Sequence, residues 1–355
     1  METMKDLFSG LFGVLSQQFQ SLINTPFDPG ARLFWLYLFS GALFAYWVYY
    51  RHTKTPNASE GRSLRGFLRF LVPKSVWGHP SAWLDLKFFL VNQFTGKLLY
   101  LGLTGVSTAA VFYWITDGGN LADVIMGSEL PGFSDFVVSL IYMFVVIGIT
   151  DFAAFYIHYL QHKIPILWEF HKVHHSPEVM HPISNFREHP FDNVAYAMGI
   201  GATYGVVLGG ISVWLGYLPN MPTVLGVPAL LFLFNFGGYH LRHSHVWLRW
   251  PGRWSMVFPS PAHHHVHHSC HPDHLDKNFA FLFPLWDVLF RTYEMPEDNK
   301  DVKFGIYGME ESEYTTVWKL YTVPFRNIYR RLKAGKSPKV AEEPRQDKIP
   351  ARAES

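Results

Sequence analysis

Residues 151–189 read DFAAFYIHYLQHKIPILWEFHKVHHSPEVMHPISNFREH, and a second histidine-rich field follows from His240 to His274. All of the chain's 19 histidines except His52 and His79 fall between His158 and His274. His158 and His162 are four apart, which on an α-helix turns both imidazoles to one face. His171, His174 and His175 stand at i, i+3 and i+4, and His264, His267 and His268 repeat that spacing. Eight imidazoles are more than one ion takes. With room left for water and substrate, they argue for two metals close together.

The donor set narrows the chemistry. Imidazole suits iron, zinc, copper and nickel. The single cysteine, Cys270, excludes a thiolate-rich zinc site, an iron–sulfur cluster and an internal disulfide. HYLQH lacks the glutamate that HExxH places beside its first histidine as general base, so a zincin is excluded too. Two irons that activate dioxygen fit best, with zinc as a substitute metal. A composition 49% hydrophobic, 17% aromatic and only 16% charged is that of a membrane protein. A formal net charge of +2 gives no reason to invoke nucleic acid.

Outward from the histidines, hydropathy and charge predict an all-α, polytopic protein of four to five spans. Residues 1–30 contain an amphipathic segment, suited either to a bilayer surface or to packing as a short helix, without the features of a cleaved signal. The N-terminal transmembrane region, 31–135, holds spans near 33–50 and 88–115. Between these spans Arg51, Lys54, Arg62, Arg65, Arg69 and Lys74 mark the cytoplasmic side. The acidic loop with Asp117, Asp123, Glu129 and Asp135 faces outward. A catalytic region, 136–293, opens with a span at 136–156 that runs into His158, and a hairpin of spans, 193–218 and 223–239, returns to His240. Every histidine cluster then meets at one cytoplasmic cap. An amphipathic segment, 294–333, is basic and aromatic enough to rest on anionic lipid, and a charged tail, 334–355, reads as disordered.

HYLQH, HKVHH and HHVHH, in that order and among apolar spans, resemble the fatty acid hydroxylase and sterol desaturase superfamily of integral membrane di-iron enzymes. LRHSHVWL and LDKNFAFLFPLWDVLFRTYE extend the likeness over roughly 141–293. The resemblance implies a di-iron centre ligated by His158, His162, His171, His174, His175, His264, His267 and His268, the residues that carry catalysis. His243 matches the extra histidine that relatives place before the last box. His240, His245 and His189 are further candidates, and His263 and His265 weaker ones. The implied reaction uses dioxygen to hydroxylate an unactivated C–H bond of a lipid of sterol, sphingoid, carotenoid or alkylglycerol type, with desaturation as the alternative. A metal transporter would instead place ligands at the bilayer midplane, and a metal-binding scaffold would lack a box residue. No HPGG motif is present, so the expected electron donor is a separate ferredoxin, cytochrome b5 or reductase.

Carboxylates usually orient ligating imidazoles through the outer ring nitrogen. Asp151, seven residues before His158, and Asp276 and Asn278 in the DKN segment are the leading candidates for that role. Glu169, Glu188 and Asp287 lie near boxes as well. Each of these either orients a ring or caps a helix and pairs with Arg187, Lys277 or Arg291. His52 and His79 read as solvated loop residues, and His181, His271 and His274 are off the box spacing.

Overall fold

Proline opens four of the helices that carry or enclose the histidines. Pro80, Pro165, Pro190 and Pro261 stand in first helical turns, where a missing N–H removes no helical bond. The computed structural model describes residues 13, 16–52, 63–126, 133–297, 302–309 and 312–333. The expected amphipathic start up to residue 12, the basic loop 53–62 and the tail 334–355 lie outside them.

The helices in chain order are α1 (Trp35–His52), α2 (Leu64–Leu71), α3 (Pro80–Ile115), α4 (Phe133–Lys163), α5 (Pro165–His175) and α6 (Pro190–Leu215). They continue with α7 (Ala229–Phe236), α8 (Pro261–His267), α9 (Leu285–Phe290) and α10 (Val317–Lys333). Shorter turns, among them the 3-10 segments Pro182–Phe186 and Tyr239–His243, join them. A small antiparallel hairpin pairs β1 (Thr223–Val224) with β2 (Val227–Pro228).

Glycine sets how closely α3 and α6 approach. A Cβ on Gly201 would meet the Thr104 carbonyl oxygen at 2.5 Å, and one on Gly205 would meet that of Thr108 at 2.8 Å. The stripe therefore lets the two backbones touch, as small residues do between membrane helices. On another side of α6, Val207 packs with Tyr142 and Val146 of α4. Leu84 and Phe88 of α3, Val173 of α5 and Leu320 and Val323 of α10 form a second core under the histidine-bearing end.

Among the described residues, two helical stretches, Asp135–Lys163 and Pro190–Leu215, are long and apolar enough to cross a bilayer. Only 33% of the apolar window of each is buried, unlike the core helix of a soluble domain. Ile141, Phe144, Val206 and Trp214 are left exposed. The predicted span at 223–239 is not a crossing. The hairpin occupies its first residues, and α7 has 8 residues, about 12 Å of helix against a hydrocarbon core of ~30 Å. Pro228 opens α7 and Gly237–Gly238 ends it, with Gly238 at φ +89°. Within the expected amphipathic segment 294–333, residues 317–333 are helical as α10. It buries Leu320, Val323 and Pro324 against protein and leaves Trp318, Tyr329 and Leu332 exposed.

Candidate metal centre

The turn between α4 and α5 assembles half the centre. Ile164 is extended, as a residue preceding proline prefers, and Pro165 starts α5 back against α4. Residues thirteen apart then meet: the Nε2 atoms of His158 and His171 are 3.1 Å apart, and so are those of His162 and His175. His267 of α8 joins them. His174, His243, His264 and His268 form a second group, with His264 Nε2 2.8 Å from that of His243 and 3.0 Å from that of His268. Within each group the candidate ligand atoms all lie within 4.8 Å of one another, and every ring is buried. His175 stacks on His268 with ring centroids 4.4 Å apart, so the groups adjoin.

The outer nitrogens fix the direction of the inner ones. His158 Nδ1 lies 2.9 Å from the Phe279 carbonyl, and His171 Nδ1 lies 2.9 Å from Asp192 Oδ2. A carbonyl and a carboxylate only accept, so both Nδ1 atoms donate. Both Nε2 atoms then present lone pairs to each other at 3.1 Å. His267 repeats the arrangement: Nδ1 faces the Lys277 carbonyl at 2.8 Å, and Nε2 is buried with no hydrogen-bond partner. Lone pairs converging in a dry site repel unless a cation lies between them. Nitrogens adjacent on one metal sit roughly 3 Å apart, given metal–nitrogen bonds of ~2.1 Å. The residues fit a metal pair.

Burial keeps six of the rings uncharged. It is the main cause holding His174, His175, His243, His264 and His268 well below the ordinary histidine range, and neighbouring rings add to it. His267 is pushed down to about 3, again mainly by burial. The lone pairs remain available at neutral pH.

The carboxylates divide by task. Asp276 faces a histidine of the first group: Oδ1 is 3.2 Å from His162 Nδ1, while Oδ2 accepts from Lys163 at 2.6 Å. Asp151 does not orient a histidine. Its oxygens accept the backbone N–H groups of Leu282 and Phe283, each at 3.0 Å, and the Trp286 indole at 2.9 Å, tying the 282–286 loop to α4. Asn278 likewise reaches no ring and bonds the backbones of His263 and Glu294. Asp287 accepts from Phe279 and Ala280 N–H, both at 2.8 Å, and so sets the carbonyl that holds His158. Glu169 ties α5 to α10 through Arg331 and Asn327, and pairs with Lys172 on its own helix.

Three candidate ligands stay outside both groups. His189 caps α6, its Nδ1 accepting from Phe191 N–H at 3.1 Å and its Nε2 lying 3.2 Å from the Tyr321 carbonyl. His245 Nε2 is 2.6 Å from the Phe70 carbonyl. His240 stacks on Tyr37 and hydrogen-bonds the Arg32 backbone. His263 and His265 are held by Ser260 and Tyr293 and by the Leu241 carbonyl. His181 pairs with Asp85 at 2.9 Å, and His79 caps α3.

Asp192 is the functional residue that sequence reading missed. Besides His171 it accepts from Gln161 at 2.6 Å. As an acid in the first turn of α6 it reads as an ordinary helix-start residue. Asp85 and Arg187 were also not foreseen as partners. They form a buried ion pair, and Arg187 reaches Ser81 and Ser176, welding the start of α3 to the end of α5.

A cavity of about 380 Å³ opens onto His158, His171, His174 and His264. Phe89, Leu33 and Phe281 supply apolar wall, while Arg32, Glu188, Asn185 and Tyr239 make the rest polar. Arg242 runs beneath its edge, donating to the Phe281 and Ala280 carbonyls at 3.1 and 3.2 Å and lying 3.4 Å from His264 Nδ1.

Residues 143–292 match the sequence profile of the fatty acid hydroxylase family. An alkylglycerol monooxygenase of Danio rerio is 26% identical over 188 residues, covering 48% of this chain and 36% of the relative. The human alkylglycerol monooxygenase is 25% identical over 165 residues, 44% of this chain and 31% of the relative. The ornithine lipid hydroxylase OlsE of Rhizobium tropici is 27% identical over 197 residues, 55% of this chain and 54% of the relative. The chain thus spans between about a third and a half of the length of these relatives. No solved structure matches it significantly. The matched stretch contains all nine converging histidines together with Asp192 and Asp276, and over it the chain is similar to the fatty acid hydroxylase family.

Proposed function

We propose that this chain is a membrane-bound oxygenase with a dinuclear metal centre that hydroxylates an unactivated C–H bond of a lipid. The observation that carries the reading is the pair of inward lone pairs on His158 and His171, 3.1 Å apart in a buried site. His158, His162, His171, His175 and His267 would hold one ion, and His174, His243, His264 and His268 the other. An all-nitrogen donor set favours iron, with zinc able to substitute. Two irons bound there would supply the redox chemistry that activates dioxygen.

The chain's own residues position and exclude. Asp192, Asp276 and the Phe279 and Lys277 carbonyls hold the imidazoles in one tautomer each. Phe281 and Phe89 line the cavity beside the histidines and keep bulk water from the reacting carbon. In the balanced reaction one oxygen atom enters the C–H bond and the other leaves as water, with two electrons and two protons from a separate redox protein. In this reading region 136–293 is catalytic, with His158 and His162 at the cytoplasmic end of α4 and the remaining histidines gathered there. The apolar, exposed flanks of α4 and α6 support a multi-pass setting.

The test is metal analysis of detergent-purified protein, followed by turnover of a host lipid extract under isotope-labelled dioxygen with a chemical reductant. About two irons per chain and one labelled oxygen in a lipid product are expected. Fewer than two metals after iron reconstitution, with no label incorporated, would overturn the reading.

A further inference from the structure

The cavity over the histidines is charged where a wholly apolar substrate would want hydrocarbon. Arg32 Nη1 lies 3.8 Å from Glu188 Oε1, beyond hydrogen-bond distance. The two side chains are 46% and 29% exposed and both line the cavity, so each keeps bonding capacity for a guest. Neither is adrift. His240 hydrogen-bonds the Arg32 backbone, Asn193 bonds the Glu188 side chain, and Asn92 Nδ2 donates to the Glu188 carbonyl at 2.9 Å.

We propose that Arg32 and Glu188 clamp the headgroup of a zwitterionic lipid, so that the carbon offered to the histidine centre lies beside the headgroup and not at the far end of the chain. An anionic headgroup would gain Arg32 and be repelled by Glu188, and a cationic one would meet the reverse. A headgroup with both signs satisfies both side chains at once. Size agrees: about 380 Å³ is at the small end of ligand cavities, room for a headgroup and its first carbons. The remaining hydrocarbon leaves past Leu33 and Leu101. Arg32 and Asn92 stand outside residues 143–292, so one arm of the clamp comes from the N-terminal region and the other, Glu188, from the matched stretch. The inference rests on the hydroxylase reading for what happens to the carbon, while the clamp itself is a matter of binding.

The experiment titrates iron-loaded protein in detergent, by calorimetry, with dihexanoyl phosphatidylethanolamine, dihexanoyl phosphatidylglycerol and 1-O-octylglycerol. The zwitterionic probe is expected to bind about tenfold tighter than the other two, the scale of one charge-assisted contact. Arg32→Gln and Glu188→Gln should each erase that preference while iron content and the affinity for 1-O-octylglycerol hold. Equal binding of all three probes by the native protein, or an unchanged preference in both variants, refutes the clamp. Should Arg32→Gln fail to accumulate, Arg32→Glu combined with Glu188→Arg keeps both charges in the cavity. Retained preference then supports the clamp and equal binding of the probes refutes it. Headgroup preference present in the native protein and lost in the variants, with no lipid oxidised, leaves the clamp standing and overturns only the hydroxylase reading.

Discussion

His158 and His171 face each other across the α4–α5 turn with Nε2 atoms 3.1 Å apart and both Nδ1 atoms engaged by acceptors. While both rings are neutral, neither relieves the other by donating a proton inward. A cation between them removes the repulsion, so removing one ring should cost metal before it costs fold. His267→Ala, which deletes a buried and unpartnered Nε2 from the same group, is expected to lower bound iron from two toward one per chain. Plasma mass spectrometry on the purified variant, with circular dichroism as the control for helix content, checks this. Full retention of both metals would refute the ligand grouping.

Asp192 holds His171 at 2.9 Å from a helix that contributes no ligand. Replacing such an outer carboxylate typically weakens metal binding ~10–100-fold. Asp192→Ala should show a loss of that size in a chelator competition, and Asp151→Ala should not. Asp151 bonds the 282–286 loop instead, so its removal should appear as a lower melting temperature with metal affinity nearly unchanged.

The glycine stripe of α6 predicts a stability defect remote from the histidines. Gly205→Leu forces a side chain into the space where even a Cβ would lie 2.8 Å from the Thr108 carbonyl. Overpacking of this kind costs about 1–3 kcal/mol. Thermal unfolding in detergent should register it, whereas Gly210→Leu, where a Cβ meets nothing within 4 Å, should be close to neutral.

Acid should destabilise the metal-free protein. His263 and His265, which belong to neither ligand group, are pushed down to about 4 from the ordinary 6.5, chiefly by burial. Between pH 6.5 and 4 the unfolded chain protonates these rings and the folded chain does not, so stability falls as pH falls through that window. Each ring contributes up to about 1.4 kcal/mol per pH unit. Denaturant midpoints from pH 7 to 5 should decline, and His265→Asn should flatten the slope. A profile level from pH 7 to 5 would contradict the assignment.

The local half of the centre was legible in the sequence and the distant half was not. Spacings of three and four put the box histidines on common faces because helix geometry is local, and His158, His162, His171, His174 and His175 meet as that geometry requires. Which acceptor backs each ring depends on loops that return from far away: Asp276 reaches His162 across 114 positions and Phe279 reaches His158 across 121. Asp151 misled because seven residues place it on the face of His158 but two turns away, about 10 Å along the axis, where the 282–286 loop arrives first. His189 and His245 misled because a ring beside a box can equally cap a helix or meet a carbonyl. The expected span at 223–239 failed on Pro228 and the Gly237–Gly238 pair, which cut an apolar run down to α7.

The seam between α3 and α6 also bears on the order of assembly. Asn92 meets Glu188 and Ser107 meets Ala197, contacts 96 and 90 positions apart. Everything between them, α4 and α5 included, is the interior of one closed loop, and five of the nine converging histidines ride inside it. His243, His264, His267 and His268 come from chain made after the loop has closed. Closing a loop of this length carries a chain-entropy cost that α3 and α6 can meet through their own contacts, without any ion. The later segment completes the ring of donors.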